Sequence, residues 1–223
     1  MSIALSLGNN LTTGGIFKPT AVNNTSVNNV TDFAGIAGGG TLILLSTQTA
    51  SASASISFTT GIDSTYDEYI FKIINCHPSV NNARLQFNLS TDGGSNYNVV
   101  KTSTYFATFH DEADGYTALQ SESLYDGFGC NQYSGYQEFG ENVGANNSDE
   151  CISGELKLFA PSSTTFVKHY LGVVQLAQGN AYSKSSYING YGNTTSAVNA
   201  IDFKFSSGNI DDGIIKMYGV AKS

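Results

Sequence analysis

Arginine is nearly absent from this chain of 223 residues: Arg84 is the single example among ten basic residues. With 18 acidic residues and a net charge of −8, there is no clustered basic surface to neutralise phosphates, which excludes nucleic acid as an expected partner. Charged residues make up only 13% of the chain, against about 25% in ordinary soluble domains. Proline is scarce at three. The longest uninterrupted apolar run, residues 42–45, is far too short to span a bilayer, so no membrane insertion is expected. Residues 1–7 offer neither a basic region nor an apolar core, and no secretory leader is expected from them. The three cysteines, Cys76, Cys130 and Cys151, are odd in number and contain no Cys-x-x-Cys pair. That excludes a disulfide framework and a zinc knuckle and predicts buried or half-buried free thiols in a reducing compartment. Cys76 and His77 are neighbours, so on a strand they face opposite ways and cannot share a metal.

What fills the chain instead is Ser, Thr, Asn and 24 glycines around a 40% hydrophobic complement. The hydrophobic residues recur with period two. Leu85, Phe87 and Leu89 alternate with Arg84, Gln86 and Asn88; Ile152, Gly154, Leu156 and Leu158 alternate with Ser153, Glu155 and Lys157. Ile201, Phe203 and Phe205 alternate with Asp202 and Lys204, and Ala52, Ala54, Ile56 and Phe58 alternate with serines. Each pattern predicts a strand with one face on a core and one in water. Residues 68–74 and 167–174 are apolar on both faces, which suits central strands or a subunit contact. Residues 41–47, 97–103, 105–109 and 213–220 complete about ten predicted strands, and no helical stripe competes with them. The expected fold is all-β: an antiparallel two-sheet β-sandwich, jelly-roll-like, over residues 41–223, preceded by an extended N-terminal arm over residues 1–40. The arm ends in Gly38-Gly39-Gly40, and its scattered apolar residues (among them Leu5, Phe17, Val30 and Phe33) predict that it docks onto something.

Residues 110–150 break the pattern and read as a long acidic, Tyr-rich insertion. Nine of the 18 acidic residues lie in residues 111–150 with no Lys or Arg, leaving ten basic and nine acidic residues elsewhere. So long a stretch without periodicity is functional or flexible in most compact domains. Its spelling Asp111-Glu112-Ala113-Asp114 matches a helicase box by accident, since no phosphate-cradling loop accompanies it. The carboxylates are of the kind that bind Ca²⁺, but the spacing of an EF-hand loop is absent and a solvated acidic loop is expected; no metal or cofactor is assigned. Aromatic faces beside carboxylates are what sugars are recognised by, and Tyr116, Tyr125, Tyr133, Tyr136 and Glu138 are the carbohydrate-binding candidates. The competing reading is that the tyrosines pack the insertion onto the sandwich or a neighbouring subunit. A catalytic carboxylate pair in the same stretch would make the chain a glycan depolymerase. The three histidines, His77, His110 and His169, come without a nucleophile elbow, and no catalytic residue is assigned.

Ser90-Thr91-Asp92-Gly93-Gly94-Ser95-Asn96-Tyr97 resembles the Asp-box turn of sialidase propellers. Sialidases repeat that box and hold their substrate with an arginine cluster; one copy and one arginine predict a purely structural hairpin turn, with Asp92 capping backbone N–H groups.

From about residue 40 onward the chain resembles a module of structural proteins of tailed bacteriophages, especially marine and cyanobacterial phages. The segments carrying the likeness are residues 41–75, 85–100, 153–170 and 206–220. The resemblance implies a β-sandwich in tail fibres or related virion appendages, frequently homotrimeric, with no shared catalytic residues. The expectation is a non-enzymatic virion structural subunit, assembled in the host bacterial cytoplasm: a tail fibre, a capsid decoration protein or a head fibre. It would attach to capsid or tail proteins through residues 1–40, with contact to host-surface glycans a further expectation. The alternative is a carbohydrate-active depolymerase or lectin acting through the 110–150 loop.

Overall fold

The computed structural model describes residues 42–121, 128–179 and 181–221, all within the second of the two units into which the chain divides, Gly39–Ser223. The arm expected over residues 1–40 lies outside the described residues. Among the described residues twelve strands follow one another: β1 (Leu42–Thr49), β2 (Ile56–Phe58), β3 (Glu68–Pro78), β4 (Ala83–Ser90), β5 (Lys101–Asp111), β6 (Thr117–Ser121), β7 (Gln137–Val143), β8 (Ile152–Phe159), β9 (Lys168–Gln178), β10 (Tyr182–Gly192), β11 (Ala200–Phe205) and β12 (Ile210–Val220). Every pairing is antiparallel, and the sheet curls nearly into a barrel.

The long ladders run β1-β12-β3-β8-β9-β10-β5-β6, and a shorter set runs β7-β4-β11-β2. Between β7 and β9 there is a single pair, Val143 with Gln178. The Gly144 N–H also donates to Ala177 O, and beyond these few bonds the two sets are joined by packing. Phe58 of β2 and Phe203 of β11 meet Phe71 of β3 with ring centroids 5.5 Å from it, and Phe87 of β4 meets Tyr170 of β9 edge-on at 5.2 Å. Each such ring removes roughly 150–250 Å² from water, so the aromatic layer supplies much of the drive for the two sets to close on each other.

Alternation locates most strands. Leu85, Phe87 and Leu89 are fully buried, as are Leu156, Leu158, Ile201 and Phe203. Residues 68–74 belong to β3, between β12 and β8, and residues 168–174 to β9, between β8 and β10, so both apolar runs are interior strands of the ladder. Three expectations change. The serine-alternating run from Ala52 forms a strand only at Ile56–Phe58, because Ala52 adopts a left-handed conformation (φ 50°) that breaks the extension. Residues 101–111 are one continuous strand, where two were expected. The supposed insertion contributes β6 and β7, and β10 has no counterpart among the expected strands.

Candidate functional site

The turn after β4 is built as its residue types require. Ser90 Oγ and Asp92 Oδ1 lie 2.7 Å apart, the Gly94 N–H donates to Ser90 Oγ at 3.0 Å, and the Asn96 N–H donates to Asp92 Oδ1 at 2.9 Å. Gly93 and Gly94 take φ of 73° and 89°. The expected hairpin is absent, however: β4 and β5 do not pair, and the turn carries the chain from the short ladder set to the long one. Just before β5 begins, the Val99 N–H donates to Leu89 O of β4.

The turn delivers Lys101, the first residue of β5, into a fully buried position beside Asn88. Its ammonium donates to Asn88 Oδ1 at 2.6 Å and to Val99 O at 2.8 Å, both neutral oxygens. Burial pulls its pKa down to about 8, with the Cys130 thiol nearby acting in the opposite sense. Asn88 is fully buried as well, and its amide donates to Tyr97 O and Ser134 O. Directly across the β4–β11 ladder from Asn88 stands Asp202, 3% exposed, which accepts from Ser57 Oγ and from the Tyr136 hydroxyl at 2.9 Å. One ladder position along, Gln86 and Arg84 both donate to the buried Glu138. Burial raises the Glu138 pKa while the Arg84 guanidinium opposes that rise. The outward side of the short ladder set thus carries three neighbouring polar groups, centred on Asn88, Asp202 and Glu138.

The five carbohydrate candidates occupy different places. Tyr133 exchanges backbone hydrogen bonds with Lys101 at one end of β5, and its ring rests on Gly135. Tyr136 commits its hydroxyl to Asp202, its ring lies beneath the Lys204 ammonium at 3.9 Å, and burial pushes its phenol well above the usual range. Glu138 is committed to Arg84 and Gln86. Tyr116 is exposed at the other end of β5, where its carbonyl accepts from the Asp111 N–H and its ring packs against Phe109. Eleven strand residues separate the two groups, roughly 33 Å, so Tyr116 cannot share one sugar ring with Tyr133 or Tyr136. Tyr125 lies outside the described residues.

An open groove of about 810 Å³, lined by Glu112, Asn147, Asp149, Glu150 and Gln178, adjoins the far end of β5. Glu150 is internally used: burial works against its charge, yet N–H groups of Asn147 and Asn146 hold its carboxyl below the ordinary range. Among the described residues no cluster of His, Cys, Asp and Glu could hold a metal ion. His110 meets Asp114 at 2.9 Å, His77 meets Asn147 O at 3.4 Å, and His169 stands exposed beside Tyr191. Cys76, Cys130 and Cys151 are free thiols, and burial pushes the Cys76 thiol up to about 12.

Compared with known proteins, the chain matches no family model and no curated protein. Sequence reasoning passed over Lys101, Asn88 and Asp202. The only signal was a lysine within the predicted strand 97–103 and two polar residues at ordinary outward positions, and only the crossing of 91–100 between ladder sets brings them together.

Proposed function

We propose that this protein is a non-enzymatic structural subunit of a tailed-bacteriophage virion, a tail fibre or capsid decoration or head-fibre component. In this reading residues 41–223 form a two-sheet, jelly-roll-like sandwich that assembles as a homotrimer, and residues 1–40 attach it to capsid or tail proteins. The sandwich reading is supported by the single Val143–Gln178 pair between the two ladder sets and by the aromatic layer between them. The resemblance to phage structural modules covers strands on both sides of that layer.

The observation that carries the proposal is an uncovered apolar row on the outward face of β5, β10 and β9. Phe106 (39% exposed), Tyr187 and Val173 (41%) are successive register partners, with the first two rings stacked at 4.6 Å. Leu171 (44%) stands beside them and Leu119 (73%) on β6 extends the row. Such a row marks a contact surface on an assembling protein.

Sedimentation of the full chain should give a trimer, and Leu171→Lys with Val173→Lys should give folded monomers. Deleting residues 1–40 should abolish incorporation into particles while residues 42–221 stay folded. A wild-type monomer that releases sugar from host envelope would overturn the reading in favour of a depolymerase. The exposed Tyr116 keeps glycan contact within the proposal; binding on a glycan array that disappears in Tyr116→Ala would assign that contact.

A further inference from the structure

We propose that Lys101 and Asn88 join in an intramolecular isopeptide bond that covalently ties β5 to β4. The two side chains are the donor and acceptor of an amide transfer, and the fold has already brought them into contact. Lys101 Nζ is 2.6 Å from Asn88 Oδ1, so the amide carbon lies within about 3.8 Å of the nitrogen, that contact plus one carbonyl bond. The orientation of the amide is fixed by its surroundings: Oδ1 accepts from Lys101 and from the Leu89 N–H at 2.8 Å, while Nδ2 donates to two carbonyls. A flipped amide would lose all four.

Two features favour reaction over a resting hydrogen bond. Both groups are fully buried, which holds them together and keeps water from competing for the carbonyl. The amine touches only neutral oxygens and its pKa sits at about 8, so a usable fraction is the neutral nucleophile near pH 7.

The step balances without a co-reactant. The neutral Lys101 amine attacks Asn88 Cγ and the Nζ–Cγ bond forms. One amine proton passes directly to the departing nitrogen. The Cγ–Nδ2 bond breaks, and ammonia leaves. The product is a secondary amide across the 91–100 turn, linking the two ladder sets. It also removes the charge of Lys101 from the core, replacing a costly buried ammonium with a neutral group.

The test is the intact mass of purified, folded, full-length protein after denaturation. One ammonia less than the sequence mass is expected, together with a branched peptide joining β4 and β5 after digestion. Lys101→Met and Asn88→Ala should each restore the full sequence mass. Wild-type protein at its full sequence mass overturns the proposal outright, whether or not the variants fold. Loss of water in place of ammonia would put the bond on a carboxylate and overturn the assignment to Asn88.

Discussion

Lys184 of β10 points into the protein and is closed over by Glu141 of β7, an ion pair with the lysine side chain 3% exposed. Gln120 Oε1 also accepts from the ammonium at 3.3 Å, and the Phe109 ring lies 5.6 Å away. Glu141→Gln leaves this buried ammonium without its counter-charge and should cost about 3 kcal/mol in urea denaturation. Replacing both partners, Lys184→Met with Glu141→Leu, should return most of that loss, because an apolar pair carries no desolvation cost.

Asp92 gives the turn an acid-sensitive element. Hydrogen bonds from Ser90 and then Asn96 hold its carboxyl at about 2, against an ordinary value of 3.8. Between those values the unfolded chain binds a proton that the native turn refuses, so its stabilising contribution is complete above about pH 4 and is lost as pH falls toward 2. Urea midpoints followed from pH 6 to pH 2 should fall less steeply in Asp92→Asn than in the wild type.

Two adjacent glycines in that turn should respond differently. A Cβ on Gly94 would come within 2.7 Å of both Thr59 Cγ2 and Tyr97 Oη at φ 89°, whereas a Cβ on Gly93 meets nothing within 4 Å. Gly94→Ala should lower stability by about 2–3 kcal/mol and Gly93→Ala by about 1 kcal/mol, the strain of positive φ alone. Paired thermal melts check the difference.

Phe203 lies at the centre of the aromatic layer, with its ring 5.5–6.4 Å from those of Phe71, Phe58, Phe87 and Phe139. Phe203→Ala should cost about 3–5 kcal/mol in chemical denaturation, through lost burial and the cavity left behind. Phe203→Leu should recover more than half of it.

The strands that were legible in the sequence are those whose inner face is uniformly apolar, as in β4, β8 and β11. β10 was illegible because its inward positions include Lys184, Ser186, Ile188 and Gly190, with Tyr187 and Tyr191 on the outside, which inverts the usual pattern. β7 was hidden similarly: Gln137 and Glu138 are buried and hydrogen-bonded, so polarity there does not signal exposure. The Asp-box turn was readable because its bonds are local, spanning two to four residues. The polar groups around Lys101 were not, because Asn88, Lys101, Ser134, Tyr136 and Asp202 are gathered from four separate stretches. The tyrosines and carboxylate of the acidic region were visible as a composition, but their separation along β5 is set by strand length.

The ladder that begins at β1 also decides how the fold bears load. Leu42 is the register partner of Val220, and from that pair β1 and β12 run back side by side. Tension applied between those two residues strains a single cross-strand pair at a time, so the ladder opens like a zip, and β1 detaches at low force while the aromatic layer stays shut. A subunit tethered at this point would yield reversibly at its first strand before its interior is disturbed.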